Sequence, residues 1–528
     1  MHGHGRRRVS DLALRGLTRV ERAVAPSTHR RKRLEYAARE SAAGSLRRTL
    51  GPMHLILLGV GSTVGAGIYV MTGVAAADYA GPAVLLSFIL AGVACLFTAL
   101  SYAELASLMP VAGSAYTYAY VSLGEGSAWA VGWLLLLEYG ISCAGVASGL
   151  SGYLVSLLHD FGVLVPQALS TTTIQVVDSA ASETVHVGLR LDLPGAASIL
   201  LVTGVLLVGV RESFRINAAI VLLKVGVLLL FVGVGVWFVR PALWTPFIPA
   251  YEGGLHYGVP GIFRAASLIF FAYVGFEAVS TAAGEARNPR RDVPLGIVGA
   301  LVVCTALYMA VAAVLIGVVP WRGLGVADPL AVAVGVMGQP WLALCIKLGA
   351  VIGLCSVLLG LLYAQSRIFY TMAEDGLLSA LFSHLHPRFL TPWRGTVVLG
   401  VGVALATAVL PVEMIGDLVS LGTAMAFMVV CLTVIWLRNA EPDLPRVFRV
   451  PFGGFRIRGV WIGYVPLLGV LFCLVMIAPL GADMALALYG GDPLPVALLA
   501  GYGLAGWAFY RFYGQHHSRM GRVVSGPR

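Results

Sequence analysis

The sequence predicts an all-α membrane protein in which 12 transmembrane helices form a five-plus-five inverted repeat followed by two accessory helices. Of the 528 residues, 58% are apolar and only 12% are charged, whereas about 25% of residues are charged in soluble domains. Long apolar stretches recur along the chain, and the mean hydropathy of the whole sequence is +0.85. Two of these stretches, five spans apart, are interrupted by glycine, as expected for broken helices at matching positions of two repeats.

Each apolar stretch has about the 20 residues that a helix needs to cross roughly 30 Å of hydrocarbon. The stretches predict spans at about 53–74, 82–108, 127–158, 195–211, 214–240, 259–283, 294–319, 340–372, 395–411, 413–438, 464–482 and 493–513. They divide the chain into a basic tail at 1–52, a first repeat at about 53–240, a second repeat at about 259–438, accessory helices at about 464–513 and a basic tail at 514–528.

Basic residues indicate how the spans are threaded. The chain has 36 Lys+Arg and 26 Asp+Glu, a net charge of +10, but 30 of the basic residues flank spans on the side of the N-terminal tail and only four lie on the other. This distribution excludes a nucleic-acid partner and predicts a multi-pass protein of the cell membrane with both termini cytoplasmic. Within the tail, residues 9–24 suit either a helix on an anionic lipid surface or a disordered basic segment.

Several enzyme and metal-site patterns are missing from the sequence. Seven cysteines are scattered through apolar segments without CxxC spacing, so we expect neither a disulfide nor a metal site. The sequence contains no HExxH, GxSxG or GxxxxGK[ST] motif. We therefore expect no enzyme activity and no cofactor.

Glycines interrupt span 1 and span 6. Residues 59–67 of span 1 include four glycines, and residues 270–277 of span 6 include Gly275. Broken helices are tolerated in a membrane only where protein or water surrounds the freed backbone groups. The alternative is that these glycines only let neighbouring helices pack closely.

Two broken helices would create a site for a zwitterion. A restarting helix presents free N–H groups and an ending helix presents free carbonyls. The amides of Ala66 and Gly67 would meet the carboxylate of an amino acid, and the carbonyls of Thr63, Phe271 and Val274 would meet its ammonium group. Glycine at positions 65 and 67 would leave this backbone uncovered. The candidate substrate-binding residues are Thr63, Gly65, Ala66, Gly67, Ile68, Phe271, Ala272 and Val274.

Ionisable residues inside spans are functional candidates by default. Lys224 lies ~15 Å into span 5, and burial would favour its neutral form, so it is a candidate for proton coupling; a fixed lysine bonded to broken-helix carbonyls is the alternative. Glu138, at a similar depth in span 3, is a candidate partner of Lys224 or proton relay. Glu277 and Glu104 are candidate gate residues; the alternative is that each only forms a hydrogen bond between packed helices. Lys347 lies nearer the outer end of span 8, where it can extend to the membrane surface.

Four ordered segments carry a family resemblance. They are GVGSTVGAGIYV at 59–70, SYAE at 101–104 with PVAGSAY at 110–116, FFAYVGFEAVST at 270–281, and SRIFY at 366–370 with MAEDGL at 372–377. In these segments the chain resembles the cationic amino acid transporter family of the amino acid–polyamine–organocation superfamily, from about residue 46 to about residue 480. A departure is Glu277, where relatives often carry aspartate.

The resemblance implies a leucine-transporter-like fold, a substrate amino acid between spans 1 and 6, and alternating access. It also implies proton coupling, since bacterial relatives place a lysine matching Lys224 where sodium-coupled relatives bind an ion, and Glu138 matches a carboxylate of those relatives. The leading hypothesis is therefore a secondary transporter that moves an L-amino acid inward with a proton across the lipid bilayer. An amino acid exchanger without net proton movement is the alternative, and a channel or membrane enzyme is disfavoured.

Overall fold

The computed structural model describes residues 50–520 apart from 110–112, 180–181, 189, 209–213, 390, 447 and 492. The basic stretch at 9–24 and most of the predicted tail 1–52 lie outside the described residues, as do residues 521–528 of the second predicted tail. The α-helices of nine or more residues are α1 (Pro52–Thr63), α2 (Val84–Leu108), α3 (Ser114–Ser122), α4 (Glu125–Leu135), α5 (Ser142–Asp160), α6 (Leu193–Val208), α7 (Phe214–Gly235), α8 (Gly258–Ile269), α9 (Pro289–Val318), α10 (Pro329–Met337), α11 (Pro340–Glu374), α12 (Trp393–Val409), α13 (Val412–Ala440), α14 (Tyr464–Tyr489) and α15 (Leu494–Phe509).

Shorter helical turns join or extend these helices. Turns of π-helix are Gly67–Met71, Ala75–Ala80, Leu136–Ile141 and Tyr510–Gly514. Turns of 3-10 helix are Gly81–Ala83, Val236–Phe238, Pro241–Trp244, Phe270–Tyr273, Ala283–Glu285, Trp321–Gly323 and Ala380–Ser383. Short α-helical turns are Thr72–Val74, Gln167–Ser170, Ala278–Thr281 and Gln515–His517.

Two antiparallel β-hairpins depart from the prediction of an all-α chain. In the first, β1 (Ile174–Ser179) pairs with β2 (Ser182–Val187), in the segment between the third and fourth predicted spans. In the second, β3 (Gly454–Ile457) pairs with β4 (Val460–Gly463), between α13 and α14. Both hairpins lie outside the apolar helices, so hydropathy carries no signal for them.

The helical part has the length and composition of a multi-pass membrane protein. Among the described residues, eight helical segments are long and apolar enough to cross a membrane: Gly67–Leu108, Glu125–Asp160, Ile216–Phe238, Gly258–Thr281, Pro289–Val318, Pro340–Glu374, Val412–Ala440 and Tyr464–Tyr489. Shorter apolar helices are Pro52–Thr63, Leu193–Val208 and Trp393–Val409. The first predicted span is therefore divided, because its helix stops at Thr63 and resumes at Gly67.

Small residues set how α1 packs against α9. A Cβ added at Gly59 would lie 2.5 Å from the Cβ of Ala300, and one at Gly296 would lie 2.6 Å from the Cβ of Leu55. The two helices therefore run side by side in the same direction at close range. We call the end of the bundle where α1 and α9 begin the arginine-rich face, because Arg287, Arg438 and Arg519 lie there, and the other end the opposite face.

Fully buried tyrosines form much of the interior near the interrupted helices. Two of these tyrosines donate to backbone carbonyls: Tyr153 to the carbonyl of Tyr69 at 2.9 Å and Tyr273 to that of Phe88 at 3.0 Å. A buried tyrosine contributes a large apolar ring and one donor that needs a partner. These bonds supply acceptors for the hydroxyls and connect neighbouring segments in the centre of the fold.

Candidate functional site

The first interruption lies at the end of α1. The hydroxyl of Thr63 donates to the carbonyl of Gly59 at 2.7 Å, and that of Ser62 donates to the carbonyl of Leu58 at 2.9 Å. Such side-chain bonds compete with the backbone bonds of the next turn. Val64 then takes an extended conformation, with φ −73° and ψ 93°, which ends the helix.

The second interruption follows α8. The helix tightens into a 3-10 turn at Phe270–Tyr273, and Val274 then becomes extended, with ψ 131°. Gly275 has φ +116°, a conformation that side-chain-bearing residues rarely adopt. One glycine is therefore enough to break the helix here, because the backbone reverses at that residue.

The two interruptions lie against each other. A Cβ at Gly67 would overlap the Cα of Ala272, and a Cβ at Gly275 would lie 2.6 Å from the carbonyl oxygen of Ser62. The Ser62 hydroxyl also donates to the carbonyl of Gly275 at 2.8 Å. The glycines are therefore required by backbone packing between the two broken helices.

The interrupted segments border a small cavity. Gly65 and Ala66 lie between the two parts of the first helix, and no backbone acceptor among the described residues takes their N–H groups. These amides form the positive end of the restarting helix, where an anionic group is favoured. The cavity is lined by Ser62, Thr63, Gly65, Ala66, Gly67, Ser142, Val146, Phe271, Val274, Val357 and Leu361.

Six of the predicted substrate-binding residues line this cavity, and two do not. The six are Thr63, Gly65, Ala66, Gly67, Phe271 and Val274. Ala272 instead packs against Gly67, and Ile68 is fully buried in the core. The sequence does not predict the remaining five lining residues, which are Ser62, Ser142, Val146, Val357 and Leu361. Four of them belong to two other helices, where nothing in their sequence distinguishes them from packing residues. Ser62 belongs to the interrupted segment itself.

Lys224 caps the end of α1. Its side chain is fully buried, and its ammonium group donates hydrogen bonds to the carbonyl oxygens of Gly61 and, at 3.0 Å, Val64. Carbonyls in the last turn of a helix have no partner within the helix. The lysine of α7 therefore satisfies acceptors that the break in α1 leaves open.

Tyr308 joins the two broken helices from α9. Its hydroxyl lies 2.8 Å from the carbonyl oxygen of Thr63 and 3.1 Å from that of Ala272. The carbonyl of Phe271 accepts from the amide of Val274 at 3.2 Å. Two of the carbonyls predicted to meet an ammonium group, those of Thr63 and Phe271, thus already accept one hydrogen bond each, and each keeps a second lone pair.

Glu277 and Glu138 form a buried pair of carboxyl groups. Glu277 accepts hydrogen bonds from the amide of Gly275, at 3.1 and 2.9 Å, and from the hydroxyl of Tyr139 at 2.9 Å. Glu138 neighbours Glu277, and the described residues give its carboxyl oxygens no hydrogen-bond partner. The structure thus places Glu138 beside the second interruption, whereas Lys224 contacts the first.

Glu104 lies away from the cavity, at the arginine-rich face. Its carboxylate pairs with Arg438, lies 3.5 Å from Nε of Arg446, and accepts from the amide of Val450 at 2.8 Å. The cluster connects the end of α2 to the end of α13 and to the segment that follows it.

The fold and this cavity define a class: a helical multi-pass membrane protein with a cavity between two interrupted helices. A family model described as "Amino acid permease" matches residues 50–496. The chain therefore belongs to the amino acid permease family of the amino acid–polyamine–organocation superfamily, which confirms the resemblance found in the four sequence segments. The family and the names of its relatives indicate a transporter and not an enzyme.

Curated relatives cover most of the chain. It is 42% identical over 448 residues to a methylthioribose transporter of Bacillus subtilis (strain 168), covering 85% of this chain and 92% of that protein. It is 39% identical over 496 residues to the branched-chain amino acid permease BcaP of the same organism, covering 94% and 99%. A vacuolar cationic amino acid transporter 4 of Arabidopsis thaliana is 39% identical over 417 residues, covering 78% and 67%.

Proposed function

We propose that this protein is a secondary active transporter that carries an L-amino acid together with a proton into the cell by alternating access. The observation that carries the proposal is the cavity between two interrupted helices, bordered by the unpaired amides of Gly65 and Ala66. The substrate carboxylate binds at these amides. Its ammonium group binds at the carbonyl end of the second interruption, near Val274, with the Thr63 and Phe271 carbonyls as further acceptors.

Lys224 is the proposed site of proton coupling. A charged ammonium can serve both the Gly61 and Val64 carbonyls with charge-assisted bonds. A neutral amine would lose this charge assistance and release the end of α1. Binding and loss of the proton would thus favour different positions of a helix that borders the substrate.

Glu138 and Glu277 are proposed to form a second proton site. Two neighbouring carboxyl groups cannot readily both be charged when they are buried. Tyr139 and the amide of Gly275 stabilise the charge on Glu277, so a proton taken up by the pair would be bound by Glu138. The pair lies beside the second interruption, and Glu277 is also a candidate gate because its bonds fix the turn at Gly275.

The proposed architecture is the one that the sequence predicts: 12 spans in the cell membrane, a five-plus-five inverted repeat with two accessory helices, and both termini in the cytoplasm. The arginine-rich face is then cytoplasmic, in agreement with the distribution of basic residues. The ion pairs of Glu104 with Arg438 and Arg446 would close part of that face.

Uptake into proteoliposomes tests the proposal. An inward proton gradient is expected to drive accumulation of a radiolabelled amino acid above equilibrium, and a protonophore is expected to abolish it. Uptake that needs amino acid inside the vesicles and ignores the gradient would instead establish the alternative, an exchanger. Flux that does not saturate with substrate concentration would contradict a carrier altogether.

A second candidate substrate follows from the relative named methylthioribose transporter. Methylthioribose has neither a carboxylate nor an ammonium group, so the amides of Gly65 and Ala66 would bind only uncharged oxygen atoms. Competition between methylthioribose and amino acids in the same vesicles distinguishes the two candidates.

A further inference from the structure

We infer that the cavity selects amino acids with uncharged aliphatic side chains and rejects cationic ones; this inference rests on the proposed function. With the carboxylate at the amides of Gly65 and Ala66, the substrate side chain extends toward α5 and α11. These helices contribute Val146, Val357 and Leu361 to the cavity wall.

The polar side chains of the cavity wall already use their donors within the protein. The hydroxyls of Ser62, Thr63 and Ser142 donate to the backbone carbonyls of Gly275, Gly59 and Glu138, respectively. Each hydroxyl retains acceptor lone pairs, but none carries a charge. The wall thus offers a hydrocarbon surface with a few neutral acceptors.

The carboxylates nearest the site face elsewhere. Neither Glu138 nor Glu277 lines the cavity, and Glu277 is held by the amide of Gly275 and the hydroxyl of Tyr139. An ammonium or guanidinium at the end of a substrate side chain would lose its water without gaining a charged partner, which is costly. A valine, leucine or isoleucine side chain gains from leaving water in the same place.

Gly65 and Val357 lie next to each other in the cavity wall. A Cβ added at Gly65 would lie 3.2 Å from Cγ1 of Val357, closer than an ordinary van der Waals contact, so the backbone at position 65 packs directly against this valine. A methyl group at position 65 would therefore press on Val357 and change the part of the wall that meets the substrate side chain.

Competition for uptake of radiolabelled leucine into proteoliposomes tests the selection. Unlabelled isoleucine and valine are expected to compete about as well as leucine, whereas lysine and arginine compete at least roughly 100-fold more weakly. Equal competition by lysine would overturn the inference while leaving amino acid transport established. Failure of all radiolabelled amino acids, leucine and lysine included, to enter the vesicles would instead overturn the proposed function.

Two variants locate the selection in this cavity. Gly65→Ala is expected to weaken leucine uptake at least about tenfold relative to alanine uptake, because the added methyl presses on Val357 and changes the wall that a larger side chain must contact. Gly360→Ala is the matched control: it lies on the same helix as Val357, and a Cβ there meets nothing within 4 Å. A fall in leucine and alanine uptake by the same factor in Gly65→Ala would contradict the placement of the side chain.

A third variant reverses the charge selection. Val357→Asp places a carboxylate in the wall, so lysine is expected to compete better and leucine worse than in the unchanged protein. Lysine competition that stays as weak as before, in a protein that still transports alanine, would show that the side chain does not reach Val357.

Discussion

The ammonium group of Lys224 donates a hydrogen bond to the carbonyl oxygen of Val64 across 3.0 Å, at the point where α1 stops. A second bond reaches the carbonyl of Gly61. Both acceptors belong to the buried carbonyl end of a broken helix, and a cation is favoured there by the helix dipole. The pair therefore connects the charge of a residue on α7 to the position of a helix that borders the cavity.

Replacing Lys224 is expected to uncouple amino acid uptake from the proton gradient. In Lys224→Met the aliphatic stem is retained but both hydrogen bonds are lost, so uptake should no longer increase when the outside is acidified. The measurement is initial uptake rate into proteoliposomes at several external pH values. Lys347→Met is the matched control, because Lys347 is also a buried lysine but pairs with Asp160 at 2.5 Å. An unchanged pH dependence in Lys224→Met would assign this lysine a structural role only.

Glu277 and Tyr139 are expected to act as a unit. Glu277→Asp should retain transport, since the shorter carboxylate can still accept from the amide of Gly275, but it should lose the bond from the Tyr139 hydroxyl. Tyr139→Phe then adds little to the effect of Glu277→Asp, whereas each single variant reduces uptake by a few fold. A double variant whose loss equals the product of the single losses would show that the two residues act independently.

Gly67 is expected to tolerate no side chain. In Gly67→Ala the new methyl overlaps the Cα of Ala272, so the two broken helices must separate and both transport and thermal stability should fall. Gly226→Ala is the control, because a Cβ at Gly226 meets nothing within 4 Å. Thermal unfolding in detergent and uptake are measured for both variants. Normal uptake by Gly67→Ala would mean that the interruptions do not pack as described.

The sequence was sufficient for those parts of the fold and site that depend on composition or on glycine. Four glycines in residues 59–67 indicated the break that ends α1 at Thr63. Gly275 is a weaker indication of the second break, because a single glycine in a sequence does not reveal its backbone conformation. The break is evident only from its φ of +116°. The position of Lys224 within an apolar stretch identifies it as a candidate functional residue. The carbonyls that accept its hydrogen bonds cannot be predicted in this way, because they depend on how α7 packs against α1.

Other features required the three-dimensional arrangement. Val357 and Leu361 line the cavity. On an apolar helix, however, the sequence does not distinguish a valine or leucine that lines a cavity from one that faces lipid. The depth of Glu138 in its span suggests Lys224 as its partner, whereas the rotation of its helix turns the carboxyl toward Glu277. Depth along a span can be read from a sequence, but the direction of a side chain around a buried helix cannot.

Asp192, which precedes α6, is expected to make stability depend on pH. Burial raises the pKa of its carboxyl from 3.8 to about 6, although Ser151 and the amide of Gly195 donate to it. Between about pH 4 and pH 6 the folded protein binds a proton that the unfolded chain does not, so stability falls as the pH rises. Asp192→Asn, which keeps the acceptor oxygen, should remove this slope in melting temperature. A slope that persists in the variant would assign it to other groups.

Arg264 is expected to stabilise the opposite face by a buried ionic cluster. It lies on α8, donates to both carboxyl oxygens of Asp417 at 2.7 and 2.8 Å, and pairs with Asp483. Its side chain is only 4% exposed, so its removal would leave two carboxylates without their cation. Arg264→Met should cost about 3–5 kcal/mol of unfolding free energy and lower the melting temperature in detergent.

An exposed ion pair elsewhere in the chain provides the comparison for this cluster. Arg322 contacts Glu252 at 2.5 Å, but the two side chains are 61% and 46% exposed, so Arg322→Met should cost less than about 1 kcal/mol. Replacing Asp417 and Asp483 with leucine in the Arg264→Met background should restore part of the lost stability, because no unpaired charge then remains. Equal melting temperatures for Arg264→Met and Arg322→Met would show that the cluster does not hold α8 against α13 and α14.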